Sequence, residues 1–244
     1  MGLSPDDIAL DVRELRKSFG GVRAVDGCSF SVPKGKISAL IGPNGSGKTT
    51  TFNLLTGVAQ PDSGQVIHQG EDIAGWKPFE IFRRGITRTF QITRIFREMT
   101  VLENMLSVTE LGIPEKVARE RAEELIAFVN LTRLRGEYGG RLSYGQQKLL
   151  EFIRALMTDP DVILLDEPAA GVNRTLLQSL LDHIHHLQER GKTILIVEHD
   201  MNVIMNHCEW IFVMDYGVKI AEGPPAEIQS DRRVIEAYFG RRRQ

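Results

Sequence analysis

The run Gly42-Pro43-Asn44-Gly45-Ser46-Gly47-Lys48-Thr49-Thr50 sets four residues between its first glycine and a Gly-Lys-Thr triplet. Glycines let a turn point its N–H groups inward around an anion, and a helix starting near Lys48 adds the positive end of its dipole. Lys48 is therefore expected to reach the β- and γ-phosphates of a nucleoside triphosphate. The Thr49 hydroxyl would take one position on Mg²⁺, a hard cation that prefers oxygen ligands and shares them with nucleotide phosphates.

A second chemical site lies far along the chain. Val162-Ile163-Leu164-Leu165-Asp166-Glu167 is an apolar run ending in two carboxylates. Read as a strand, it points successive side chains to opposite faces, so the two acids take different tasks. Asp166 is assigned to Mg²⁺ through its water shell, and Glu167 to orienting and deprotonating an attacking water as general base. Leu142-Ser143-Tyr144-Gly145-Gln146-Gln147 reads as a helix start, with Ser143 as N-cap and Gln146 completing a capping box. The free N–H groups at that end suit a further phosphate.

The elements that carry these residues follow from periodicity. Residues 8–32 alternate apolar and polar, the pattern of antiparallel strands with one wet face. A strand over 36–41 runs into the glycine loop and a helix over 48–55. Residues 101–108, 115–130 and 144–157 show helical spacing with little strand signal, which predicts a helical lobe. Beyond Pro160, strands over 162–165, 194–197 and 210–214 alternate with helices over 175–189 and 201–207, the order of a parallel sheet covered by helices. Asp215-Tyr216-Gly217 predicts a hairpin turn into a strand over 218–221. The expected division is a nucleotide-binding α/β core with an antiparallel β subdomain over 1–86 and 160–225, a helical subdomain over 87–159, and terminal helices with a basic tail over 226–244.

These motifs together resemble the ATP-binding cassettes of ABC transporters. The segment 142–148 resembles that family's signature sequence, with Tyr144 where glycine is usual. The resemblance implies that Ser143, Gly145 and Gln146 cover ATP held by a second cassette, so that two chains pack head to tail around two sites. It makes Gln91 the glutamine that senses Mg²⁺ and the attacking water, and His199 the switch histidine that contacts the γ-phosphate and holds Glu167 in position. Phe19 falls where the family stacks an aromatic ring on adenine. Residues 169–173 occupy the D-loop, with Asn173 in place of the usual aspartate. Within the family, 41–51, 88–91, 96–104, 142–147 and 167–171 look like the larger ATP-binding subunit of branched-chain amino acid importers, which shares both departures. Related cassettes for urea and other amides, or for lipopolysaccharide export, share much of the pattern. The implied partners are a second cassette, membrane permease subunits and, indirectly, a substrate-binding protein. The apolar residues Ile92, Ile95 and Phe96 are expected to receive a permease helix or, alternatively, to serve as core of the helical lobe.

Composition narrows the rivals. The 244 residues carry 30 basic and 32 acidic side chains, a net charge of -2, so no basic excess points to nucleic acid. No apolar run approaches the roughly 20 residues that span a bilayer. The amino terminus lacks the basic start and apolar stretch of a secretory signal, so the expected place is the cytoplasmic face of the plasma membrane, held there through permease subunits. Cys28 and Cys208 are expected to be small core residues. His183, His185 and His186 are expected on a solvated helix face, and Arg241, Arg242 and Arg243 in a basic tail. A soluble ABC ATPase of DNA repair or the ribosome is disfavoured, because the chain has neither a coiled-coil insertion nor a second cassette. A non-hydrolysing regulatory module is disfavoured by Glu167.

Overall fold

Two long strands, β1 (Ile8–Phe19) and β2 (Val22–Pro33), open the chain in a computed structural model that describes residues 4–89, 94–109 and 112–239. Next come β3 (Ile37–Ile41), α1 (Lys48–Leu55), β4 (Ser63–His68), β5 (Glu71–Asp72), α2 (Pro78–Arg83) and β6 (Ile86–Arg88). A helical stretch comes after them, with α3 (Val101–Leu106), α4 (Glu115–Phe128) and α5 (Tyr144–Ala155). The chain then alternates through β7 (Val162–Asp166), α6 (Arg174–Glu189), β8 (Thr193–Val197), α7 (Met201–His207), β9 (Trp210–Asp215) and β10 (Val218–Gly223), and ends in α8 (Pro225–Ser230) and α9 (Arg232–Phe239).

The strands form two sheets. One is antiparallel, in the order β2-β1-β4-β5; the other runs β10-β9-β3-β8-β7-β6 and is parallel except for the β9–β10 hairpin. That hairpin turns on Tyr216 and Gly217, at φ 43° and 82°, the two left-handed residues of a type I′ turn.

Strand alternation divides the core. Ile37, Ala39 and Ile41 of β3 join Ile163, Leu165, Ile194 and Ile196 in one cluster, packed against the helical lobe and α6. Leu40, Leu164, Leu195 and Phe212 face the other way, toward α1 and the antiparallel sheet. A parallel sheet buried on both faces requires such unbroken apolar strands, which explains the four-residue runs in the sequence. Phe30 and Phe212 stack across the gap between the two sheets at 4.9 Å.

One expected boundary shifts. Residues 86–88 pair in parallel with Val162, Ile163 and Leu164, so the large sheet runs to residue 88, two residues into the helical subdomain expected over 87–159. Three residues are too few to show a strand period, and their partner strand lies far along the chain.

Candidate functional site

The parallel strands β3, β8, β7 and β6 lie side by side, and their carboxyl ends deliver the site. The phosphate loop follows β3, His199 follows β8, Asp166 ends β7 with Glu167 next, and Arg88 ends β6. Ligands of open α/β sheets collect at this edge because loops there are free to converge. Gln91, three residues after Arg88, lies outside the described residues, as do Ile92 and Arg241 to Arg243.

The phosphate loop is wedged between neighbouring backbones. A Cβ on Gly42 would stand 2.1 Å from the Met214 carbonyl oxygen, and one on Gly47, at φ 104°, would stand 2.3 Å from that of Ala24. Neither position admits a side chain. Lys48 is buried, and its Nζ donates to the carbonyls of Gly42 at 2.8 Å and Pro43 at 2.9 Å. Burial pushes its ammonium below the ordinary lysine value, while the charges of Glu167 and Asp166 oppose the shift. Lys48 therefore shares one electrostatic site with both acids. Asn44, Gly45 and Thr49 are exposed, Pro43 and Thr50 half-buried, and Ser46 buried, its carbonyl accepting from the Gly217 N–H at 3.0 Å. Phe19 stands at the end of β1 with 55% of its surface exposed, and Lys17 Nζ lies over its ring, 5.5 Å from the centroid.

Asp166 and Glu167 do separate, but by a different device from the one expected. The strand stops at Asp166, and Glu167 turns into the left-handed region at φ 49° instead of continuing the pleat. A non-glycine residue in that region is costly and persists only where its surroundings enforce it. Here the Glu167 N–H is held by the Val197 carbonyl at 2.8 Å, and the carboxylate meets His199 Nε2 at 2.9 Å. That contact joins the residue expected as base to the histidine expected to hold it. Asp166 Oδ2 accepts from Arg88 Nη2 at 2.6 Å, and both side chains are 6% exposed. Arg88 also donates to Asn53 Oδ1 on α1 at 2.6 Å, so α1, β6 and β7 meet on one guanidinium.

Thr49 and Asp166 offer the hydroxyl and carboxylate oxygens that suit Mg²⁺, and the Arg88 bond on Oδ2 leaves Oδ1 to a cation or its water shell. Among the described residues no group of three or more His, Cys, Asp or Glu side chains could hold a metal.

The signature segment packs against the loop after β7 and the start of α6. Ser143 Oγ accepts from the Gln146 N–H at 3.3 Å and Gln146 Oε1 accepts from the Ser143 N–H at 2.9 Å, so the capping box forms. Among the described residues, no hydrogen bond joins 142–147 to 42–50. The neighbour of this helix start is instead the D-loop. A Cβ on Gly145 would meet Leu176 Cδ2 at 2.5 Å, and one on Gly171 would meet the Tyr144 ring at 3.1 Å. Asn173 caps α6 by accepting from the Leu176 N–H at 2.9 Å.

Several charged residues of the site escape the sequence reading. Arg88, Lys148 and Glu198 bond its residues or the backbone beside them, the last two while buried, and buried Glu151 adds its charge next to Lys148. Their only signal is a charge placed where burial is expected: Lys148 and Glu151 on the inner face of α5, Glu198 straight after the apolar run of β8. The histidines also differ from expectation. His183 and His186 pack on Phe128 at 4.4 and 5.6 Å, and His185 Nε2 lies 2.9 Å from His207 Nδ1, so these histidines are half-buried rather than fully solvated, the His186 side chain keeping 44% of its surface exposed. The Phe128 ring at the end of α4 and His207 at the end of α7 pack against this helix face. Cys28 and Cys208 are buried as expected.

Known proteins share both the sequence and the fold. Residues 25–170 match the family described as ABC transporter, and residues 218–243 match that described as branched-chain amino acid ATP-binding cassette transporter. A probable branched-chain amino acid transport ATP-binding protein of Methanocaldococcus jannaschii is 40% identical over 95% of this chain and 97% of its own length. A high-affinity branched-chain amino acid transport ATP-binding protein of Pseudomonas aeruginosa is 39% identical, with the same coverage. A crystal structure of a nucleotide-free ATP-binding cassette from an ABC transporter superposes with a TM-score of 0.87 at 37% identity, covering 95% of this chain and 98% of the other. Site, fold and relatives agree: the chain belongs to the ABC transporter family, as one of its ATP-binding cassettes.

Proposed function

We propose that this cassette hydrolyses ATP to power import of branched-chain amino acids. The 2.9 Å contact between His199 and Glu167, beside Lys48, carries the hydrolytic part of the reading. A binding module has no use for a carboxylate set at the triphosphate end and steered by a histidine. In the proposed reaction a water oxygen attacks the γ-phosphorus while Glu167 takes its proton, and the bond to the β,γ-bridging oxygen breaks to leave ADP and phosphate. Lys48 and the N–H groups of the loop Gly42 to Thr50 hold the β- and γ-phosphates, and Phe19 stacks on adenine. His199 fixes the Glu167 carboxylate and touches the γ-phosphate, and Gln91 aligns the water. Thr49, Asp166 and Gln91 would hold Mg²⁺, which supplies positive charge to the phosphate oxygens when bound.

In this reading Ser143, Gly145 and Gln146 cover the nucleotide of a second cassette, identical or related. ATP between two cassettes stabilises closure and its hydrolysis removes the bridge. Permease subunits hold the cassette at the cytoplasmic face of the membrane and carry the solute, with a substrate-binding protein acting through them. A groove of about 800 Å³, lined by Val58, Phe79, Phe82, Ile95, Phe96 and Arg154, supports the docking of a permease helix. No described helix is long and apolar enough to cross a membrane itself.

The solute assignment rests on what the relatives' names say they transport. Reconstitution of the cassette with its co-purifying permease in vesicles tests both parts. Uptake of leucine, isoleucine or valine that requires ATP, and that Glu167→Gln abolishes with ATP binding intact, is the expected result. Uptake of a different solute overturns the assignment, and undiminished turnover by Glu167→Gln overturns the mechanism.

A further inference from the structure

The alignment of His199 with Glu167 depends on two loops from different strands, the one after β7 and the one after β8. One side chain spans both. Glu198 is 3% exposed, and its Oε1 accepts from the Ala169 N–H at 2.6 Å, two residues beyond Glu167. Its Oε2 accepts from the N–H groups of His199 at 2.9 Å and Asp200 at 3.3 Å. Bonds from backbone N–H groups to a carboxylate are charge-assisted, and so are strong and directional.

The opposite side of the Glu167 loop is gripped as well. Lys148, buried on α5, donates to the carbonyls of Glu167 at 3.3 Å and Pro168 at 3.4 Å. Burial pushes the Lys148 ammonium down, and the charges of Glu151, Glu198 and Glu167 counter it. The residues 167–169 thus run between a cation that takes their carbonyls and an anion that takes their amide. Of the two, it is the anion that also holds the backbone of His199.

We propose that Glu198 is a positioning residue for hydrolysis: by tying the Ala169 and His199 amides to one carboxylate, it fixes the His199–Glu167 contact. It needs to touch neither nucleotide nor water. The proposal rests on the assignment of Glu167 as base and His199 as its aligning partner. It also links the D-loop to this chain's own switch histidine, since Ala169 begins the segment that passes under Tyr144 at Gly171.

Glu198→Gln keeps the size of the side chain but puts an amide NH₂ against one of the N–H groups it now accepts from. Steady-state ATP turnover of the purified cassette should fall about ten-fold or more in kcat, with KM for ATP within about two-fold. A His199→Ala background separates positioning from a role in folding alone. There, Glu198→Gln should cost less than about two-fold in kcat, because the contact it aligns is already gone. An equal fractional loss in both backgrounds overturns the proposal, as does a raised KM with unchanged kcat. Glu198→Asp, too short to reach both loops, is measured in the same two backgrounds and read by the same criteria should the glutamine variant not fold. Full turnover by Glu167→Gln would instead refute the underlying mechanism, so the two failures are distinguishable.

Discussion

Replacing Arg88 with methionine removes the guanidinium and keeps most of the aliphatic stem. Arg88 and Asp166 meet at 2.6 Å with both side chains 6% exposed, so the variant leaves Asp166 as a buried carboxylate without its cation. Breaking such a pair from one side costs about 3–5 kcal/mol, which is a large part of the roughly 5–15 kcal/mol that holds a domain folded. Asn53 loses its bond in the same step, and the guanidinium no longer stands over the Phe52 ring at 5.5 Å. Urea unfolding followed by the fluorescence of Trp76 and Trp210 measures the loss. With a slope of about 3 kcal/mol per molar, the midpoint should fall by about 1 M or more. Asp166→Asn in the Arg88→Met background supplies the control: removing the orphaned charge should recover stability, so the double variant lies above the sum of the two singles by about 2 kcal/mol. An Arg88→Met midpoint within experimental error of wild type, or strict additivity in the cycle, refutes the claim that this pair fastens β6 to β7.

The remaining predictions concern other parts of the molecule. Burial pushes the thiols of Cys28 and Cys208 up to about 12, so an aromatic disulfide reagent at pH 8 should label neither in the native protein and both after unfolding. Burial also depresses His183 and His207, so the fold favours their neutral forms. Their contribution to stability is intact above the ordinary histidine value of about 6.5 and is lost as pH falls below it, because the unfolded chain then binds protons that the folded one resists. The urea midpoint should drop between pH 7.5 and 5.5, and drop less in a His183→Gln/His207→Gln variant. Ile95→Asp with Phe96→Asp should leave ATP turnover of the isolated cassette near wild type and abolish coupled transport, and coupled uptake by that variant counts against the groove as a permease site.

The parts of the site that were legible in the sequence are those written locally. The glycines of the phosphate loop, the Lys48 beside them, the capping box of Ser143 and Gln146, and the acids after β7 each occupy a few consecutive residues whose backbone geometry follows from their type. The fold was legible for the same reason: β3, β7, β8 and β9 are unbroken apolar runs that need cover on both faces. What was not legible is held by distant partners. Arg88 bonds Asp166 across 78 positions, and Glu198 reaches Ala169 across 29. Nothing in the sequence near either residue signals its partner. Glu167 shows the same limit within a single motif, since its left-handed backbone is imposed by Val197 and His199 from the neighbouring strand and the loop after it.

The two departures from the usual family pattern belong to one piece of packing. Tyr144 lays its ring beside Gly171, where a Cβ would come within 3.1 Å, and Lys148 lies 5.8 Å from the centre of the same ring. The larger signature residue therefore sits tight against a D-loop position whose φ of 71° already favours glycine. Two residues on, Asn173 spends its side-chain oxygen on the Leu176 N–H, and Leu176 is the residue that crowds Gly145. Cap, leucine, glycine and tyrosine thus form a closed set of contacts between the starts of α5 and α6. The same D-loop is bonded at Ala169 by Glu198, which also holds the His199 N–H. Tyr144 and Asn173 accordingly both act in what joins the two segments within one chain.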